Sequence, residues 1–249
     1  RGARRPAGPA GVLGAAVSAS LLTVDAVDAA YGSARVLHNV SLRVDPGEMV
    51  FIAGRNGAGK TTLLKTIAGF IPPAAGAVRL EGKDLRGIRP ENVARLGVRY
   101  VFQDKRVFSK LTVRENLELA AHPSGERMSD VVARMVSIYP AMEKFLDSKA
   151  GGLSGGQRQI LLIGRALTGN PKILLIDEPT EGLAAGVIDD IFRLLSEMKG
   201  RLSMLIVEQN LPVVARLADR VYVMKEGKIF QELATRAEIE AGGALEGNL

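Results

Sequence analysis

Apolar and polar positions alternate along residues 21–28 and 36–44, which predicts two strands with one buried face each. Residues 48–53 (EMVFIA) break that rhythm. Their apolar positions run on without alternation and stop at a glycine-rich loop, the pattern of a parallel strand covered on both faces. Residues 98–102, 172–177, 202–208 and 220–224 read the same way. Helical spacing appears from Lys60 to about Gly69, and again over 184–199 and 211–218. Strands alternating with helices place the chain in the α/β class.

Residues 106–157 follow another pattern. Strand signals are few there, and two helices are predicted around 113–121 and 126–139. Thr112 and Glu115 have the spacing of a capping box at the first of these. The stretch reads as a helical insert between two halves of one core. No internal repeat occurs, and the segment after about residue 232 is too short for a further domain.

Composition narrows this picture in a few places. The 249 residues are 47% hydrophobic, enough for one full α/β domain with a small subdomain. No stretch of about 18 uncharged apolar residues occurs, so any membrane role is expected to come through a partner. Cysteine is absent and histidine occurs twice, as His38 and His122, which excludes disulfides, thiol catalysis and the usual zinc sites. Both histidines read as structural or surface residues. The net charge is +6, but Arg1, Arg4 and Arg5 supply three of those charges and leave the remainder near +3. That is ordinary for the size, and no nucleic-acid partner is expected. Residues 1–20, rich in Ala, Gly, Pro and Arg with no acid, read as a disordered or extraneous tail.

Two constellations carry chemistry. Gly54, Gly59, Lys60 and Thr61 satisfy G-x-x-x-x-G-K-[ST], directly after a predicted strand and at the start of a predicted helix. Asn56, Gly57, Ala58, Gly59 and Thr62 complete a loop whose amides would wrap nucleotide phosphates at the positive end of that helix. Lys60 is expected to reach the β- and γ-phosphates, and the Thr61 hydroxyl to ligate Mg²⁺. Residues 173–178 (ILLIDE) bring Asp177 and Glu178 to the carboxyl end of another buried strand. Asp177 is expected to hold Mg²⁺, and Glu178 to polarise the attacking water as general base. Farther along, Ser154, Gly155 and Gly156 could form either an anion site or a plain helix cap.

GRNGAGKTT, LSGGQRQ and ILLIDEPT, in that order, resemble the nucleotide-binding subunits of ABC transporters, and the similarity spans about residues 21–235. Within that superfamily, RVFSKLTVRENL (106–117), DEPTEGLA (177–184) and IVEQN (206–210) resemble the subunits that serve branched-chain amino acid and urea importers. The resemblance implies a P-loop NTPase core with a mainly parallel sheet, an antiparallel N-terminal β part, a helical subdomain at about 106–157 and a short tail at 236–249. It implies ATP hydrolysis with Mg²⁺.

Site roles follow from the same resemblance. Tyr31 matches the ring that stacks on adenine. Gln103 matches the glutamine that touches Mg²⁺ or water and links core to insert. Ser154, Gly155, Gly156 and Gln157 match the signature that binds the γ-phosphate held by an opposite subunit. A second ABC ATPase subunit, identical or not, is therefore implied, with ATP in the interface. Gln209 stands where the superfamily usually has a histidine that senses the γ-phosphate. The amide still donates hydrogen bonds but carries no proton charge, and the chain reads as a working variant. The loop at 182–185 lacks the family's frequent Asp.

Residues 104–116, with Asp104, Lys105, Arg106, Phe108 and Lys110, read either as a solvated loop around a buried Phe or as the surface that docks transmembrane permease subunits. Together these features imply a peripheral ATPase on the cytoplasmic face of the inner membrane. It would serve an importer of branched-chain amino acids and cooperate indirectly with a periplasmic or extracellular substrate-binding protein. The alternatives are a urea or amide importer, a lipid or polysaccharide exporter, and a soluble ABC ATPase acting on nucleic acid.

Overall fold

The computed structural model describes residues 20–241. Strands β1 (Leu22–Tyr31) and β2 (Ala34–Val44) form an antiparallel hairpin. Strands β4 (Ala75–Leu80) and β5 (Lys83–Asp84) extend it to a sheet of order β2-β1-β4-β5. The second sheet contains β3 (Met49–Ala53), β6 (Val98–Val101), β7 (Ile173–Asp177), β8 (Ser203–Val207), β9 (Arg220–Lys225) and β10 (Lys228–Leu233), in the order β10-β9-β3-β8-β7-β6. All its neighbours pair in parallel except β10 with β9.

The unbroken apolar runs have a direct cause. Successive side chains of a strand point to opposite faces, and both faces of this sheet are covered. Val50 and Ile52 of β3, with Leu175 and Leu205, join a core closed by the N-terminal sheet and by α1 (Lys60–Ile67). Met49, Phe51 and Ala53, with Leu174 and Ile206, join a second core on the other side. That core is closed by α6 (Ala185–Met198), α7 (Leu211–Leu217) and the helical insert. The expected insert contains α3 (Val113–Ala121) and α4 (Met128–Ile138), and α5 (Gly155–Ala166) packs with them while running past the expected end at 157. Gly164 lets them meet closely: a Cβ there would stand 2.7 Å from Met135 Cε and 3.4 Å from Leu117 Cδ2.

The expected strands and helices occur within a few residues of their expected bounds. The strands β4, β5 and β10, the short helix α2 (Pro90–Arg95) and the helix α5 lie outside those expectations. β10 is an edge strand with only Leu233 fully buried, so its hydrophobic pattern is weak. It is set by a two-residue turn in which Glu226 (φ 49°) and Gly227 (φ 74°) both adopt positive φ. The expected N-terminal tail lies outside the described residues, except for Ser20, whose hydroxyl donates to Asp45 Oδ1 (2.7 Å). Residues 236–240, expected as the start of a C-terminal tail, form helix α8 (Arg236–Glu240) and bury Ile239.

The capping box foreseen at α3 is complete. The Glu115 amide donates to Thr112 Oγ1 (3.1 Å), and the Thr112 amide donates to Glu115 Oε2 (2.6 Å). Thr112→Ala should lower the unfolding free energy by about 1 kcal/mol. Urea denaturation measures this, and an unchanged midpoint would contradict the role of the cap.

Candidate functional site

Strand order decides what meets at the carboxyl edge of the parallel sheet. β3, β8, β7 and β6 are consecutive neighbours, so the segments that leave them lie side by side. After β3 comes the loop at 54–59. Gly54 has φ 157°, and a Cβ there would lie 2.2 Å from the carbonyl oxygen of Met224, so only glycine fits. The loop delivers the chain into α1, which carries no acidic residue in its first turn and no side-chain cap on its N-terminal amides. Those donors, with the helix dipole behind them, suit an anion. Beside the loop, Arg55, Asn56, Gly57 and Ala58 face 224–226 across a cavity of about 320 Å³.

Lys60 is buried. Its Nζ donates to the carbonyls of Gly54 (2.7 Å) and Arg55 (3.0 Å) and lies 3.6 Å from Glu178 Oε1. Asp177, at the end of β7, is 1% exposed. Its Oδ1 accepts from the Thr61 hydroxyl (3.1 Å) and its Oδ2 from the Tyr100 hydroxyl (2.9 Å). Burial pushes the Asp177 carboxyl above its usual range, while the Tyr100 and Thr61 hydrogen bonds pull it back. The Tyr100 hydroxyl is pushed up, mainly by burial and then by the Asp177 charge.

Glu178 follows in a left-handed conformation (φ 46°), unusual for a residue with a side chain. Its amide donates to the Val207 carbonyl of β8 (2.9 Å) and fixes that turn. Two amide side chains converge on its carboxylate. Gln209 Nε2 donates to Oε1 (2.7 Å) and also to Asn56 Oδ1 (2.8 Å). Gln103 Nε2 lies 3.3 Å from Oε2 and 2.7 Å from Glu181 Oε2. Behind them Glu208 is buried. Its Oε1 accepts from the Thr180 hydroxyl (2.9 Å) and from the amides of Gln209 and Asn210 (both 3.0 Å), while Oε2 has no partner. Burial raises the Glu208 carboxyl, against those hydrogen bonds.

The structure thus gathers Asn56, Lys60, Thr61, Gln103, Asp177, Glu178 and Gln209 into one cluster. Thr62 is buried on α1 behind it. Tyr31 ends β1 with its ring half exposed. The signature lies at the start of α5. Ser154 caps α5, and its side-chain partner is Gln157. Ser154 and Gly155 are exposed, whereas Gly156 is buried where a Cβ would lie 2.0 Å from Val187 Cγ1 of α6. Of the two readings left open by the sequence, the helix cap is formed, and Ser154 and Gly155 are exposed beside it. Of the two histidines, His38 is half-buried on β2 and His122 is exposed after α3.

Tyr100, Thr180, Glu181 and Glu208 were not singled out from the sequence. Glu208 sits directly before Gln209, which was, and that adjacency was the available signal; Tyr100 lies within β6, three residues before Gln103. Among the described residues no cluster of three or more His, Cys, Asp or Glu could hold a metal. The oxygen pair of Thr61 and Asp177 suits a cation such as Mg²⁺, which takes one or two protein ligands and fills the rest with phosphate and water.

A family model described as "ABC transporter" matches residues 37–181, more than half of the chain. The high-affinity branched-chain amino acid transport ATP-binding protein BraG of Pseudomonas aeruginosa is 39% identical over 211 residues, covering 84% of this chain and 91% of that protein. The probable branched-chain amino acid transport ATP-binding protein LivG of Methanocaldococcus jannaschii is 34% identical, covering 84% and 88%. Among solved structures, a nucleotide-free ATP-binding cassette from an ABC transporter superposes with a TM-score of 0.79 at 32% identity, covering 89% of this chain and 94% of that one. A dimeric cassette in a post-hydrolysis state with ADP and phosphate gives 0.77 at 28% identity, covering 86% and 99%. Phosphate loop, carboxylate pair, fold and relatives agree, and the chain belongs to the ABC transporter family as one of its ATP-binding, ATP-hydrolysing cassettes.

Proposed function

We propose that this cassette powers the uptake of branched-chain amino acids through partner membrane subunits, hydrolysing ATP with Mg²⁺. The observation that carries the mechanism is the convergence of Lys60, Gln103 and Gln209 on the Glu178 carboxylate, next to Thr61 and Asp177. The cargo rests on the relatives named for branched-chain amino acid transport, at 33–39% identity. Relatives named for thiamine and Fe(3+) import, at 34–35%, mark the other cargoes to test.

Lys60 and the loop amides bind the phosphates. Asp177 and Thr61 would hold Mg²⁺, which would supply charge neutralisation to the phosphates. Glu178 accepts the proton of the attacking water as its oxygen bonds to the γ-phosphorus, and the bond to the bridging oxygen breaks to release ADP. Gln209 anchors Glu178 to Asn56 of the loop and offers a neutral donor to the transferred group. Tyr31 stacks on the adenine.

Cassettes of this family dimerise and work with transmembrane subunits. The exposed Ser154 and Gly155 suit a role toward the ATP of a second cassette, identical or not. Among the described residues no helix is long and apolar enough to cross a membrane, which fits a peripheral subunit. We place it on the cytoplasmic face, with a substrate-binding protein on the far side. A groove of about 800 Å³ supports the docking surface around 104–116. It runs along β6 between α2 and α5, with Phe70 and Phe102 in its floor and Arg95, Arg106 and Arg165 around it. Phe108 is 50% exposed instead of buried and stacks under Arg165 at 5.0 Å.

Glu178→Gln should keep ATP binding, slow turnover by about 10²–10⁴-fold and stabilise an ATP-dependent dimer, read by phosphate release and size-exclusion chromatography. A variant with normal turnover would remove Glu178 as the base. Lys60→Ala should abolish nucleotide binding in a fluorescent-nucleotide titration, and retained affinity would misplace the phosphate site. Gln209→Ala should lower kcat by about 10²-fold, and an unchanged kcat would make the amide a bystander. Mass spectrometry of the intact complex from membranes, with uptake assays on it, tests cargo and partners together. Subunits of an exporter, or uptake of thiamine alone, would overturn the amino acid reading.

A further inference from the structure

Tyr100 joins two places that otherwise have separate roles. On one side its hydroxyl donates to Asp177 Oδ2 at 2.9 Å. Asp177 is 1% exposed, so water does not supply a donor for that oxygen. The Thr61 hydroxyl takes the other oxygen at 3.1 Å. The carboxylate is thereby divided: Oδ2 is tied to β6, and Oδ1 is turned toward the start of α1 and the phosphate loop. Rotating the group would break the Tyr100 bond and leave a buried oxygen unpaired, which is costly in so dry a position.

On its other side the Tyr100 ring packs 4.2 Å, centroid to centroid, from Phe102 and 6.1 Å from Phe70. Phe70 and Phe102 are themselves 5.4 Å apart, edge to face. These two rings are 50% and 38% exposed and form part of the floor of the groove of about 800 Å³. Phe102 directly follows β6, two residues after Tyr100, and the two rings pack against each other. Whatever rests on Phe70 and Phe102 presses on the ring whose hydroxyl holds Asp177.

We propose that Tyr100 is a positioning residue, which holds Asp177 in its metal-accepting orientation and transmits the state of the aromatic groove floor to it. The inference rests on the reading of Asp177 as the Mg²⁺ holder. It gives the groove a path to the metal through β6 that does not pass through Gln103 and Glu178.

Tyr100→Phe keeps the ring and removes the donor. Binding of a fluorescent ATP analogue to the full chain, with and without Mg²⁺, separates the two roles of the residue. Metal-free affinity should stay at the wild-type value, while the Mg²⁺ concentration for half-maximal enhancement should rise about tenfold, the usual effect of removing a hydrogen-bond partner of a metal ligand. The melting temperature should fall by a few degrees, because the buried Asp177 Oδ2 loses its donor. A merely structural defect would weaken metal-free binding as well, and that result would overturn the proposal. So would a Tyr100→Phe protein with wild-type Mg²⁺ dependence. A wild-type protein whose nucleotide affinity ignores Mg²⁺ would overturn the metal assignment itself.

Phe102→Leu tests the groove arm of the path. It should shift the Mg²⁺ half-point when Tyr100 is present and leave it unmoved in the Tyr100→Phe background. Equal shifts in both backgrounds would break the link between groove and metal.

Discussion

One carboxylate organises the catalytic edge. Glu178 lies near a buried lysine, accepts from the amides of Gln209 and Gln103, and sits on a backbone turned into the left-handed region. Such strain persists only where the surroundings over-determine it. Here the Glu178 amide is held by the Val207 carbonyl and the side chain by segments leaving three other strands. A γ-phosphate drawn to Lys60 competes with Glu178 for the same charge. On the proposed mechanism, binding and base positioning are therefore one event, since the group displaced from lysine is the one proposed to meet water.

Much of this edge was legible because it depends on local chemistry. A glycine loop that must bend past the Met224 carbonyl admits little but glycine at residue 54. Strands covered on both faces must be apolar throughout, so β3, β7, β8 and β9 stood out, as did the capping box at Thr112 and Glu115. What escaped depends on distant partners. The Tyr100–Asp177 bond spans 77 residues and the Thr180–Glu208 bond 28, and nothing within either segment encodes the other. β4 and β10 escaped for a related reason. β4 forms by pairing with β1, and β10 is set by a turn of two positive-φ residues, one of them Glu226, which composition does not announce.

The signature separates into a packed part and an exposed part once its surroundings are known. Gly156 is required within the chain, because α5 and α6 meet where its Cβ would lie. Ser154 and Gly155 are exposed. Leu183, in the loop that follows Glu178, comes within 3.5 Å of where a Gly155 Cβ would lie. The loop that leaves β7 thus connects the proposed base to the start of α5 by way of Leu183. The family's frequent Asp is missing from this loop, yet the apolar approach of Leu183 remains. Contact of this kind transmits displacement without carrying charge.

Gln209 follows the same economy of charge. β8 lies between β3 and β7, so the residue after it can reach both neighbours. One amide nitrogen spans Asn56 and Glu178 at 2.8 and 2.7 Å, using both of its hydrogens from a single atom. An imidazole has its donors on opposite sides of a ring and offers two only when protonated, which would place a further cation beside Lys60. The amide keeps the link between phosphate loop and base in every protonation state of the site. Glu208, one residue earlier, holds that amide's backbone in place while remaining buried. The substitution of glutamine for the usual histidine therefore fits a site in which position, and not a titrating group, joins the loop to the base.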